Sequence, residues 1–175
     1  LLADRGWEAP DAVVLPASTG ELVVGVIDGL QECVELGLID ETPTVYAVQA
    51  AGCAPIAAAW DDGTISTEPW ETPDTIVGEL EVADPPGGDL ALATLRESGG
   101  EVLTVEDDEA LESAVAVAST ETVEVGLAGG VAAAGLWSLA EDGTLGGEDE
   151  VVVLNTEAAT KAPDVLRSHL MGQGV

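Results

Sequence analysis

Ser18, Thr19 and Gly20 stand between the apolar run Ala12-Val13-Val14-Leu15 and a stretch whose apolar residues recur at helical spacing. Asn155 and Thr156 stand in the same place after Val151-Val152-Val153-Leu154, again ahead of a helical stretch. Each apolar run reads as a short strand buried on both faces. Small hydroxyl-bearing residues at such a turn bring donors to the end of a strand. The backbone N–H groups of the helix that follows favour an anion. In an open α/β sheet, ligands lie outside the carboxyl ends of the strands. The two turns therefore read as two walls of one cofactor site.

Other residue types that do chemistry are sparse. Cys33 and Cys53 match no metal spacing and are too few for a disulfide framework, so both read as free thiols in the core. Lys161 is the single lysine and His169 the single histidine. His169 reads as a surface or interface residue, and Trp60 and Trp70 as packing residues. No metal site and no catalytic residue is assigned within the chain.

The elements that must position the turns alternate between strand and helix. Strands are predicted at Val13–Ala17, Val45–Gln49, Val102–Val105 and Val151–Leu154. Helices are predicted at Glu21–Leu36, Ala54–Trp60, Asp89–Ser98, Asp107–Ser119, Leu127–Ala140 and Pro163–Met171. Val123–Val125 reads as a short extended piece, and Thr75–Val82 fits a helix or a strand. Asp84-Pro85-Pro86-Gly87-Gly88 is a rigid turn. Strands separated by helices of this length imply right-handed crossovers. The fold class expected is α/β, a doubly wound, mostly parallel sheet flanked by helices. The uncharged runs 42–60 and 125–140 read as core elements, not membrane spans.

Charge narrows the partners. The 175 residues carry 34 acidic and 4 basic side chains, a net charge of −30, while 46% are hydrophobic. A chain this apolar folds. Acids spread along its whole length repel one another in dilute buffer, whereas molar salt shortens the screening length to about 3 Å. The economical reading is a cytoplasmic protein of a salt-accumulating halophile, the other being an ordinary acidic protein. Nucleic acid is excluded as a partner, because almost nothing here neutralises phosphates. The start, Leu1-Leu2-Ala3-Asp4-Arg5, has no Met and reads as the end of a helix, so the chain is expected to begin inside a larger protein.

The order of the motifs is informative in its own right. After the Pro-Ala-Ser-Thr-Gly turn come Glu32–Asp40, then Val48-Gln49-Ala50-Ala51-Gly52-Cys53-Ala54-Pro55 and Glu68-Pro69. Thr72-Pro73-Asp74-Thr75-Ile76, Asp84-Pro85-Pro86 and Leu95–Gly100 follow, then Thr104–Glu109, Val123-Glu124 and Val152–Thr156. This sequence resembles the carboxyl-terminal half of threonine synthase and its relatives among fold-type-II pyridoxal-phosphate enzymes, over nearly the whole chain. Its end, Val165–Met171, looks like a haloarchaeal paralogue group.

The resemblance implies a site and a reaction. Ala17, Ser18, Thr19 and Gly20 match the turn that holds the phosphate of pyridoxal 5'-phosphate. Thr156 matches the residue that donates a hydrogen bond to the pyridine nitrogen. Glu124 matches a glutamate near the ring, and the turn 84–88 a segment lining the substrate side. Two departures stand out: the family's glycine cluster is reduced to Gly20 beside Glu21, and Glu157 replaces a glycine, bringing a carboxylate towards the ring nitrogen. Residues 1–175 would be the cofactor-binding large domain, incomplete at its amino end, and the Schiff-base lysine would come from an amino-terminal part absent here. Lys161 does not match that lysine. The implied reaction is a threonine synthase-like lyase step on a small amino-acid substrate, O-phosphohomoserine to threonine being the type. The alternative is a non-catalytic paralogue serving as scaffold or regulatory subunit. A homodimer, or association with an amino-terminal half, is the expected assembly.

Overall fold

The computed structural model describes residues 2–172. A four-stranded, all-parallel sheet lies at its centre: β1 (Ala12–Pro16), β2 (Thr44–Ala50), β3 (Glu101–Val105) and β4 (Val151–Val153). Six helices surround it: α1 (Glu21–Glu35), α2 (Pro55–Asp61), α3 (Gly88–Ser98), α4 (Asp107–Glu121), α5 (Leu127–Glu141) and α6 (Pro163–Leu170).

Strand periodicity divides the core into two layers. Val13, Leu15, Val45 and Ala47 pack with Val23, Ile27 and Leu30 of α1, Ile56 of α2, and Leu92 and Leu95 of α3. Ala12, Val14, Tyr46 and Val48 pack on the other face with Ala110 and Leu111 of α4 and Leu127, Val131 and Leu139 of α5. Both central strands are covered on both faces, which is why they read as unbroken apolar runs. α5 is rich in small residues because it lies against its neighbours' backbone. A side chain at Gly130 would run into the Ala110 carbonyl of α4.

The strand order is β3-β2-β1-β4. The chain moves outward from β1 to β2 and β3, crossing on the face covered by α1, α2 and α3. It then returns over the opposite face, through α4 and α5, to lay β4 on the free side of β1. The direction of winding reverses between β1 and β4, and a reversal of this kind opens a crevice at the carboxyl ends of the two strands.

The elements differ from the sequence expectation in two places. Thr75–Val82 is neither helix nor strand but a loop with one 3-10 turn at Gly78–Leu80. It is fixed from a distance: Asp107 accepts the Ile76 N–H at 2.8 Å and the Thr75 hydroxyl. Val123–Val125 pairs with no strand and is the loop into α5. Cys53 is fully buried and burial pushes its thiol pKa up, so it is a poor nucleophile, while Cys33 is half-buried. Among the described residues no helix is long and apolar enough to cross a membrane.

Candidate functional site

A cavity of about 210 Å3 lies at the crevice between the carboxyl ends of β1 and β4. Its first wall is the turn after β1. Ala17 donates its N–H to the Val48 carbonyl at 2.8 Å, so the chain stays in the sheet one residue beyond the strand. Gln49 is fully buried and accepts the N–H groups of Ile56 and Ala57 at 2.9 and 3.0 Å, while its amide nitrogen donates to the Ala17 carbonyl at 3.5 Å. One side chain thus ties together the end of β2, the start of α2 and the base of the turn.

Gly20 closes the turn at φ 88°, where a side chain is strained. A Cβ there would also stand 2.6 Å from the Gly87 carbonyl oxygen. Gly87 in turn donates its N–H to the Thr19 carbonyl at 2.8 Å. The Pro85-Pro86-Gly87-Gly88 turn therefore buttresses the first wall from behind. None of residues 84–88 is among the residues that line this cavity. Among the described residues, no protein acceptor takes the N–H groups of Ser18 through Val23. These donors gather at the positive end of the α1 dipole.

The second wall follows β4. Leu154 donates its N–H to the Val14 carbonyl at 2.9 Å, continuing the pairing past the strand. Thr156 then lines the cavity opposite Ser18, Thr19 and Gly20. Glu157 also lines it, yet its carboxylate is engaged. Its Oε2 accepts the Ala128 N–H at 3.0 Å, and its carbonyl accepts the Gly126 N–H at 2.9 Å. Among the described residues Glu157 is the one buried carboxylate, and the N-terminus of α5 offsets its charge. That is the physical reason a glutamate is tolerated here: it caps α5.

The sequence reading missed the third wall, Glu79 and Leu80, with Lys161 beside them. Glu79 lies in the irregular segment that Asp107 fixes, so no local pattern announces it. Lys161 donates from Nζ to Glu79 Oε1 at 3.4 Å, linking two short 3-10 turns, Gly78–Leu80 and Ala159–Lys161.

Several other expected residues lie elsewhere. Glu124 accepts the Thr160 N–H at 3.1 Å and lines a separate apolar groove of about 550 Å3 between α4 and α6. Glu21 lies outside the wall and accepts a hydrogen bond from the Thr19 hydroxyl at 3.2 Å. Trp60 stacks beneath the Arg96 guanidinium, 5.2 Å from the ring centre, and Trp70 packs on the core. His169 is half-buried on α6, away from the cavity.

Chemically the cavity offers an anion-binding end and a hydroxyl end, closed by apolar Leu22, Val23, Leu80 and Ala128. Free N–H donors and the Ser18 hydroxyl suit a phosphate, and Thr156 provides one more donor facing them.

Comparison with known proteins agrees with this chemistry. The profile of the family described as "Pyridoxal-phosphate dependent enzyme" matches residues 1–157. Threonine synthase of Methanosarcina acetivorans is 31% identical over 166 residues, covering 94% of this chain and 41% of that protein. Threonine synthase of Methanocaldococcus jannaschii is 30% identical over 158 residues, covering 90% of this chain and 39% of that protein. The chain thus spans about two fifths of the length of these relatives. Among solved structures, the processed form of threonine deaminase isoform 2 from Solanum lycopersicum superposes with a TM-score of 0.75 at 19% identity, over 94% of this chain and 43% of that one. An L-serine ammonia-lyase from Rhizomucor miehei gives 0.74 at 24% identity, over 95% and 52%. These structures share the fold.

Proposed function

The chain belongs to the family of pyridoxal-phosphate dependent enzymes and is threonine synthase-like; from that premise we propose that Ala17, Ser18, Thr19, Gly20 and Thr156 hold the cofactor in a lyase of amino-acid metabolism. The observation that carries this reading is the meeting of the two turns at the winding reversal, with the N–H groups of Ser18–Val23 unpaired. Those N–H groups and the Ser18 hydroxyl bind the cofactor phosphate. The Thr156 hydroxyl donates to the pyridine nitrogen and keeps it unprotonated. Gly20, backed by Gly87, lets the backbone approach the phosphate closely, and Leu80 and Ala128 exclude water from the ring. Glu157 holds the loop after β4 against α5, so its charge is directed at the helix and not at the ring. When bound, the cofactor supplies an electron sink for a carbanion of the amino-acid substrate.

The reaction class this supports is elimination or replacement at a hydroxy or phosphohydroxy amino acid, with O-phosphohomoserine to threonine as the type. In this reading residues 1–175 are the cofactor-binding part, and a lysine from an amino-terminal part attaches the cofactor covalently. A second reading, a non-catalytic paralogue acting as scaffold or regulatory subunit, is favoured by one feature: the Thr19 hydroxyl is spent on Glu21.

Titration of the chain with pyridoxal phosphate, followed by borohydride reduction and mass analysis, tests the proposal. Saturable binding without a pyridoxyl adduct on Lys161 is expected. Absence of binding would favour the scaffold, and an adduct on Lys161 would contradict the reading that covalent attachment needs a lysine other than Lys161.

A further inference from the structure

Lys161 holds one of the chain's four basic groups, and among the described residues it is the only basic one lining the cavity. Arg5 is committed to Glu150 at 2.6 Å and Arg96 to the Thr64 carbonyl at 2.6 Å, while Arg167 lies on α6 along the separate groove, in an exposed pair with Asp164 at 3.6 Å. The Lys161–Glu79 pair is long at 3.4 Å, and both side chains are more than half exposed. A pair of this kind adds about 0–1 kcal/mol to stability, so holding the fold together is a weak account of the lysine. An ammonium has three donors. Glu79 takes one, weakly, which leaves the remainder for a ligand that enters between the two 3-10 turns.

We infer that Lys161 is an anion-recognition residue of this cavity, held over its mouth by Glu79, and that its ligand group is a phosphate monoester. The inference rests on the cofactor site proposed above and adds a residue to it. Ser18, Thr19 and Gly20 ahead of α1, Leu22 and Val23 in its first turn, and Lys161 all line the same cavity of about 210 Å3, and the inference places one dianion between them. Glu79 acts as a tether: it positions the ammonium when the cavity is empty and competes with the ligand for it. Lys161 thus favours phosphorylated over unphosphorylated ligands, whether the phosphate belongs to the cofactor or to the substrate.

The test is calorimetry on the full chain in KCl sufficient to hold the fold, with inorganic phosphate, pyridoxal phosphate, unphosphorylated pyridoxal, and O-phosphohomoserine added to chain saturated with pyridoxal phosphate. Lys161→Gln should weaken a phosphorylated ligand about fivefold, the scale of one exposed ion pair, and leave pyridoxal unchanged. Lys161→Arg should restore most of the loss, and Glu79→Gln should tighten phosphate binding. A loss with pyridoxal phosphate assigns the recognised group to the cofactor, and a loss confined to O-phosphohomoserine assigns it to the substrate. Unchanged affinity for every phosphorylated ligand, or an equal loss with pyridoxal, overturns the inference while leaving the cofactor site standing. If the unaltered chain binds neither phosphate nor pyridoxal phosphate, both fall. The thermal midpoint of each variant separates these outcomes from misfolding.

Discussion

The turn after β1 and the turn after β4 look alike in sequence but end differently in the fold. Residues 17–20 run straight into α1, a helix of 15 residues whose N-terminal donors stay free. Residues 155–157 run into no helix at once. A 3-10 turn at Ala159–Lys161 intervenes before α6, and Glu157 turns back to cap α5 instead. One turn presents an open helix N-terminus and the other closes one with its own carboxylate. An anion is therefore received at the first turn, and the second contributes a single hydroxyl, from Thr156. The same strand-turn pattern thus yields a charge-binding wall and an orienting wall, decided by where the nearest carboxylate points.

The largest expected effect acts on both turns together. With net charge −30, lowering the salt removes screening from the whole acidic surface. Thermal unfolding followed from low to multimolar KCl should show a midpoint that climbs steeply, with both turns lost together at low salt. A midpoint indifferent to KCl would contradict the halophilic reading. Next in size is Gly20→Ala. Strain at φ 88° costs about 1–3 kcal/mol, and the contact with Gly87 adds to it. Phosphate affinity should fall at least about tenfold, while the amides of 126–128 keep their protection from hydrogen exchange.

Glu157→Ala should show the reverse pattern. Loss of the α5 cap costs about 0.5–2 kcal/mol, seen as faster exchange at Ala128. Phosphate affinity should hold or improve, because negative charge leaves the cavity wall. A loss of phosphate binding in this variant would erase the distinction between the two walls. The smallest effect belongs to Thr156→Val. Removing one hydrogen bond worth about 0.5–1.5 kcal/mol should weaken pyridoxal by several-fold and leave inorganic phosphate untouched.

What was legible in the sequence follows from local pattern. The apolar runs 12–15 and 151–154 mark strands because a strand buried on both faces needs no polar residues, and Gly20 marks a sharp turn because few other residues tolerate its backbone angle. That β4 lies beside β1 is not local information. The shared strand-turn design pointed only to two walls of one site, and the pairing of Val13 with Val152 shows the adjacency in the structure. What stayed hidden depends on contacts across the fold. Glu79 reaches the cavity because Asp107, far along the chain, fixes the loop before it. The 84–88 turn serves as a buttress because Gly87 meets Thr19. Glu124 and Glu157 were both read as carboxylates near a ring. The first is drawn to the Thr160 N–H and the second to the Ala128 N–H. Unpaired helix donors and loop amides attract acids, and one-dimensional spacing does not reveal which donor is nearest.

The central claim is that both turns converge on one ligand, the first through its phosphate and the second through its ring. Amide chemical-shift mapping of the labelled chain tests this most directly, with inorganic phosphate and unphosphorylated pyridoxal titrated separately. Phosphate should move the amides of Ser18 through Val23 and leave Thr156 still. Pyridoxal should move Thr156 and its neighbours, and pyridoxal phosphate should move both sets with one dissociation constant. Shifts in the two sets with different constants, or phosphate shifts centred away from the start of α1, would contradict the account.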